Sequence, residues 1–304
     1  MRWPVTALNF VLCPRFHGAT ALGLLLNNHS KVSSLGDMFP SSEFDQSCGC
    51  GKKVSQCPFW QLLERKFAAM LNRGPGVLYP AWPRVLGRRS VNDALVNTTT
   101  LLALHTTPRV WRLLGGGPER FIGFYLDFVR TVNEYNDTSV FVNGQKSLKA
   151  VLALKSILGD RARVNIVHLV RDPRGFHCSE KKADPDIGVD DSARRWHSYH
   201  RRVTRLVRPL ANAGYLAVRY EDLCKQPEPT MTKVFDFLGV EYQDVFRPPS
   251  LHHLVGHKSK GQFDGTLSQN LTWQKALSER EQEQCLALTR PLSEELGYRL
   301  AGGR

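Results

Sequence analysis

Residues 163–179 read RVNIVHLVRDPRGFHCS, and the reading of this stretch decides the fold. Val164, Ile166, Val167, Leu169 and Val170 make a short apolar run rich in β-branched residues. That is the pattern of a strand buried on both faces. The run stops at Arg171-Asp172-Pro173-Arg174. Pro173 suits a first helical position, where a missing N–H costs nothing. The segment is therefore strand, charged turn, helix. Arg171 leaves the carboxyl end of the strand, where open α/β sheets place their ligands. Ser179 falls about two turns into the helix. A forked guanidinium backed by a hydroxyl suits a phosphate. The same residues also suit an ordinary turn with a salt-bridged RDPR, and the segment alone supports both.

Working outward, Val5–Leu12 reads as a first strand bounded by Pro4 and Pro14. Cys13-Pro14-Arg15-Phe16-His17-Gly18-Ala19-Thr20 follows, and then an apolar helical segment from Ala21. Strand, glycine-containing loop, helix is the plan of a phosphate cradle, with loop amides and a helix N-terminus facing an anion. No G-x-x-x-x-G-K-[ST] sequence occurs, which weighs against an ordinary ATPase or kinase. His17 reads either as a ligand contact or acid/base group, or as an exposed loop histidine.

Three further turns carry polar residues where strands end. Val32–Gly36 leads to Asp37, readable as a general base or as a helix N-cap. Ser139–Val142 is a short strand, and its exit turn carries Lys146 and a Ser147 cap before an apolar-faced helix. Tyr215–Tyr220 is another strand, ending in Glu221-Asp222-Leu223; a helix over 230–238 stops at Gly239.

These motifs, in this order, resemble the sulfotransferases that use 3′-phosphoadenosine 5′-phosphosulfate (PAPS), in their carbohydrate and bacterial-type branch. IVHLVRDPRGFHCS resembles the family's 3′-phosphate motif, with Arg171 and Ser179 at its binding positions. PRFHGAT resembles the 5′-phosphosulfate loop if Phe16-His17 replaces one small residue. Arg15, Gly18, Ala19 and Thr20 then face the donor, with Ala19 where a hydroxyl is common. Asp37 matches a family Glu that acts as base, shorter by one methylene. Lys146 matches a second cation near the sulfuryl group. RYEDL with its FLG helix matches a structural segment. A late basic loop before Trp273 brings in Lys258 and Lys260 as phosphate contacts.

The resemblance implies one sulfotransferase domain over residues 1–304, with an α/β three-layer α/β/α fold and a central parallel sheet like that of P-loop nucleotide-binding proteins. It implies a helical, acceptor-shaping insertion around 61–136. It implies sulfuryl transfer from PAPS to a hydroxyl, or an amine, by in-line displacement, releasing PAP. No metal is required, because protein cations take the place Mg²⁺ has in phosphoryl transfer. Two rivals remain: a kinase-like phosphotransferase on the same fold, and a catalytically inactive basic protein that binds nucleotide or nucleic acid.

Composition constrains the partners less tightly. Forty-one basic residues against 28 acidic ones leave a net charge of +13, which calls for an anionic partner. The donor satisfies that; an acidic or glycan acceptor is compatible, and no nucleic acid is expected. The sequence carries no signal of oligomeric state. Asp191–Asn212 reads as a long helix with a core stripe of Trp196, Tyr199, Val203 and Leu206 and with arginines on its other faces. Seven cysteines, an odd number, argue against a disulfide scaffold and favour a reducing, cytoplasmic compartment. No apolar run reaches the ~18 residues of a membrane span, whereas family members acting in the Golgi carry an anchor. The first thirteen residues resemble a signal peptide, but cleavage would remove the first strand. Cys48, Cys50 and Cys57 supply three thiols, one short of a tetrahedral zinc site. They read as a structural loop, disulfide-bonded or metal-bound. His252, His253 and His257 have no ligand partner at short spacing and read as a polar loop.

Overall fold

The computed structural model describes residues 6–36, 47–71, 117–144, 146–248, 251–252, 254–255 and 263–298. The candidate residues Asp37, Lys258 and Lys260 lie outside them.

Among the described residues, five parallel strands form the central sheet: β1 (Thr6–Leu12), β2 (Val32–Ser33), β4 (Val140–Asn143), β5 (Ala162–Val170) and β6 (Gly214–Arg219). Their order is β2-β4-β1-β5-β6. β1 therefore sits at the centre, and the chain leaves it to either side. That is a topological switch point, which opens a crevice at the carboxyl ends of the strands.

Both faces of β1 are buried, with period two. Leu8, Phe10 and Leu12 join a core with Val164, Ile166, Phe59, Trp60, Phe128 and Val151. Val11 and Cys13 face the opposite core, with Leu22, Leu25, Val167, Leu169, Met231 and Phe235. The first core is covered by α2 (Pro58–Leu71), α3 (Gly117–Asn136) and α4 (Leu148–Leu158). The second is covered by α1 (Ala19–Asn27) and, after the short α7 (Tyr220–Lys225), by α8 (Pro227–Leu238). The two layers explain why β1 and β5 read as nearly continuous apolar runs. The polar exception is paired: Asn165 Nδ2 donates to Asn9 Oδ1 at 2.9 Å across the β1–β5 register.

β5 runs straight into α5 (Pro173–Ala183), as its sequence predicts. Pro173 takes the first turn and Asp172 caps it, accepting the Arg174 N–H at 2.8 Å. The reading of one helix from Asp191 to Asn212 is corrected. α6 spans Val189–Arg202, followed by a wide π-type turn over Val203–Val207 and a tight turn over Arg208–Leu210. Pro209 has no N–H to continue an α-helix. The core stripe holds: Trp196 and Val203 are fully buried, and Tyr199 and Leu206 pack against the first core. α9 (Trp273–Ala276), α10 (Glu279–Thr289) and α11 (Leu292–Glu295) follow. Two antiparallel strands, β3 (Ser47–Cys48) and β7 (Leu254–Val255), form a small separate ladder. No described helix is long and apolar enough to cross a membrane.

Candidate active site

Four turns at the carboxyl edge of the sheet carry the candidate groups. The first follows β1. Phe16 has φ 65° and Gly18 φ 84°, so this loop turns twice through the left-handed region that glycine favours. The second of these turns ends at the N-cap of α1. Gly18 provides no side-chain cap, and the first intrahelical bond runs from the Leu22 N–H to the Gly18 carbonyl. The first-turn amides of α1 have no helical acceptor and carry the positive end of its dipole. They are the groups that bind an anion in a phosphate cradle.

The second turn follows β5. Arg171 is almost fully buried. Its Nη1 donates to the Ser179 Oγ at 3.2 Å and to the Phe16 carbonyl at 2.6 Å. Its guanidinium also lies 4.8 Å over the Tyr220 ring. The predicted pairing of Arg171 with Ser179 is thus present, and the same arginine ties the β5 turn to the β1 loop. The salt bridge expected within RDPR is also present, but it belongs to Arg174, whose Nη2 lies 2.6 Å from Asp172. Arg174 stacks over Trp273 at 4.1 Å, which holds the late helix α9 against the start of α5.

The third turn follows β4. Lys146 has φ 60°, and its carbonyl accepts the Tyr199 hydroxyl at 2.9 Å. Ser147 caps α4 by accepting the Ala150 N–H. A Cβ placed on Gly144 would lie 2.6 Å from the Gly36 carbonyl, so the ends of β4 and of the β2 segment are in close contact. The fourth turn follows β6. There Glu221 accepts the Asp172 N–H at 3.0 Å and the Tyr298 hydroxyl at 2.7 Å. RYEDL therefore braces the β5 turn, which is the structural role its sequence suggests.

The sheet thus carries a left-handed loop at its switch point and a buried arginine joining two of its turns, and comparison with known proteins names the family. The sequence profile described as the sulfotransferase family matches residues 62–244, more than half of the chain. The chain belongs to the sulfotransferase family. The match spans Lys146, Arg171, Ser179 and RYEDL but not the β1 loop.

The chain is also similar to solved structures, and the first of these supports the fold. The sulfotransferase domain from the Synechococcus PCC 7002 olefin synthase aligns with 98% of this chain and 96% of its own, at 21% identity and a TM-score of 0.57. The sulfotransferase domain from the curacin biosynthetic pathway aligns with 99% and 100%, at 15% identity and a TM-score of 0.47. Sulfotransferase STF1 from Mycobacterium tuberculosis H37Rv aligns with 94% and 77%, at 18% identity and a TM-score of 0.44. No curated protein sequence matches.

In this sulfotransferase Arg15 is exposed, and its Nε contacts Glu180 Oε1 at 2.5 Å. The other oxygen of Glu180 binds Arg195 Nη1 at 2.8 Å. Glu180 is fully buried and holds two guanidiniums beside the loop. Nothing in the sequence marks it, although it adjoins Ser179: a carboxylate beside a serine carries no local signal of its distant partners.

His17 is not the exposed loop residue that one of the readings describes. It is fully buried. Its Nδ1 faces the Arg15 carbonyl at 3.0 Å and its Nε2 faces His200 Nε2 at 3.0 Å. His200 Nδ1 meets His168 Nε2 at 2.7 Å, and His168 Nδ1 meets the Tyr215 hydroxyl at 2.6 Å. One proton arrangement satisfies the whole ladder. Tyr215 O–H donates to His168, His168 Nε2–H to His200, His200 Nε2–H to His17, and His17 Nδ1–H to the carbonyl. All three imidazoles are then neutral. Burial pushes His17 and His168 down to about 3, helped at His17 by nearby Arg171, His168 and Lys146. It also pushes His200 well below the usual imidazole range. Both ring nitrogens of His17 are engaged inside the protein, so it is not placed to accept a proton from a substrate. It supports the loop from beneath.

The polar-loop reading of His252 is also corrected. Its Nδ1 lies 3.2 Å from Cys57 Sγ and 3.5 Å from Cys48 Sγ. The partners come from a distant part of the chain, where spacing rules do not reach. All seven cysteines are free of disulfides.

Proposed function

We propose that this sulfotransferase moves the sulfuryl group of PAPS to an acceptor hydroxyl by in-line displacement. The observation that carries the reading is the dual contact of Arg171, to the Ser179 hydroxyl and to the Phe16 carbonyl of the β1 loop. A donor with phosphate at both its 3′ and 5′ ends needs two anion sites held at a fixed separation, and this arginine couples them. In this reading Arg171 and Ser179 take the 3′-phosphate. The Gly18, Ala19 and Thr20 amides take the 5′-phosphosulfate, together with Arg15. Lys146 neutralises charge on the bridging oxygen as the sulfur–oxygen bond to PAP breaks. Asp37 accepts the acceptor's proton as its oxygen bonds to sulfur. Lys258 and Lys260 complete the phosphate contacts. The Arg201, Arg202 and Arg205 side chains line a surface recess with Ser198 and Leu206, which is compatible with an anionic acceptor.

The test is binding of PAP, followed by titration calorimetry and thermal shift. Ligand at a hundred times its Kd should stabilise the fold by about 2.7 kcal/mol. PAP that neither binds nor raises the melting temperature, while the protein is folded, would overturn the donor assignment. Turnover of labelled PAPS across acceptor classes then defines the acceptor.

A further inference from the structure

The three cysteines left over by the donor chemistry lie far apart in sequence from the histidine that joins them. Cys48 closes β3, and a tight turn follows: the Gly51 N–H donates to the Cys48 carbonyl at 2.9 Å, the Cys48 N–H to the Lys52 carbonyl at 2.8 Å, and Gly51 takes φ 83°. Cys50 lies on that turn, and Cys57 immediately precedes α2. The β3–β7 ladder pairs Cys48 with Leu254, and this brings His252 over the turn.

We propose that Cys48, Cys50, Cys57 and His252 bind one Zn²⁺ as a closed, structural Cys₃His site. The four ligand atoms all lie within 4.8 Å of one another. Tetrahedral zinc has Zn–S near 2.3 Å and Zn–N near 2.0–2.1 Å, which puts the S···S edges at about 3.8 Å and the S···N edges at about 3.6 Å. The observed edges are 3.7 Å for Cys50–Cys57, 3.8 Å for Cys48–Cys57, and 3.5 and 3.2 Å from His252 Nδ1 to Cys48 and Cys57. These sulfur separations are far longer than the ~2.05 Å of a disulfide.

Backbone donors surround the sulfur atoms. Backbone N–H groups of Cys50, Lys52, and Phe59 with Trp60 donate toward Cys48, Cys50 and Cys57 respectively. The Trp60 indole N–H is buried without a hydrogen-bond partner. The His252 ring is oriented from outside the cluster: it stacks on Phe59 at 4.7 Å and 11°, and meets the edge of Tyr135. Its carbonyl accepts from Asn27 Nδ2 at 3.3 Å. Such outer contacts fix ligands in metal sites. All four positions are taken by protein, so the ion has no open coordination site for chemistry. It would staple the segment before α2 to the segment around β7. The three thiol protons leave to solvent on binding.

The experiment is metal analysis of the purified full chain, after gel filtration in chelator, with cobalt substitution as the second readout. The expected result is about one zinc per chain, and a Co²⁺ form with the intense visible and sulfur-to-metal bands of a tetrahedral thiolate site. Cys50→Ser and His252→Ala should lower zinc retention against a competing chelator at least tenfold, whereas His252→Cys should retain the ion. A folded wild-type chain with less than a tenth of an equivalent of zinc and a featureless cobalt spectrum overturns the proposal. So does a disulfide among these cysteines in the native protein, or zinc undiminished in both Cys50→Ser and His252→Ala. Where a variant fails to fold, the wild-type zinc content and cobalt spectrum decide.

Discussion

His200 Nε2 lies 3.0 Å from His17 Nε2, so the nitrogen of one buried imidazole donates to the same nitrogen of the other. That contact requires at least one neutral ring, and the His17 bond to the Arg15 carbonyl fixes which ring donates. The β1 loop of this sulfotransferase thus rests on a ladder of histidines whose burial disfavours the charged form.

A pH dependence follows. Unfolded histidines titrate near 6.5; the folded His17 and His168 are pushed down to about 3, and His200 is lowered as well. Below 6.5 the unfolded chain binds more protons than the folded one, so stability rises with pH. The ladder's contribution is complete above about pH 6.5 and is lost as the pH falls toward 3. Three such histidines give a slope of up to about 4 kcal/mol per pH unit. For a domain with ~5–15 kcal/mol of stability, cooperative unfolding is expected before pH 4. Melting temperature measured from pH 8 to 4 checks this, and a flat profile between pH 6.5 and 5 would sink it. His200→Phe should destabilise by about 2–4 kcal/mol by orphaning two buried rings, and should lower the acid slope by about a third.

Arg171→Ala removes the contact that joins Ser179 to the loop. Losing charge-assisted bonds of about 1.5–3 kcal/mol each predicts a PAP affinity at least a hundredfold weaker, while Ser179→Ala costs about tenfold. Arg171→Lys should recover little, because an ammonium cannot present a planar fork. Calorimetric titration with PAP measures all three. Donor affinity that is unchanged in Arg171→Ala would remove the anchor role.

The strand, the capped turn and the Arg171–Ser179 pair were legible because each depends on neighbours in sequence: a continuous apolar run rich in β-branched residues, Pro173 at the helix start, and a serine two turns along. The turn carrying Lys146 and the Gly239 stop were legible for the same reason, and Gly239 takes φ 75°. What stayed hidden depends on chain topology. His17, His168 and His200 meet only because β1, β5 and α6 stack, and each looks like an isolated polar residue along the sequence. Glu180 faces Arg15 across 165 positions. Cys57 meets His252 across 195, which is why three thiols looked one ligand short. The continuous helix expected through Asn212 failed locally, since apolar periodicity continues past the point where Pro209 prevents regular hydrogen bonding.

Glu180→Gln tests whether the buried carboxylate positions Arg15. The amide keeps the shape but can accept at only one atom, so one of the two guanidiniums faces an N–H. The expected outcome is a donor KM raised about tenfold or more, with a smaller fall in kcat, and about 1–3 kcal/mol lost in stability. A merely structural role would lower stability without moving KM. In a double-mutant cycle, Glu180→Gln should add little to Arg15→Ala for donor affinity, because both act through one guanidinium. Fully additive effects would separate the two residues.

Gly18→Ala places a Cβ where the structure leaves none. At φ 84° the added carbon would sit 2.7 Å from Tyr220 Cδ2. The left-handed backbone alone costs about 1–2 kcal/mol for a residue with a Cβ, and the contact displaces the ring that supports Arg171. The variant should therefore lose melting temperature and weaken PAP binding together, because the loop and the arginine share Tyr220. Adding Tyr220→Leu relieves the clash but not the backbone strain, so it should recover part of the stability while affinity stays low through the lost face over Arg171. If Gly18→Ala binds PAP like the wild type, the α1 N-terminus does not form the 5′ cradle, and the donor's phosphosulfate contacts must be sought at Lys146 and Arg15.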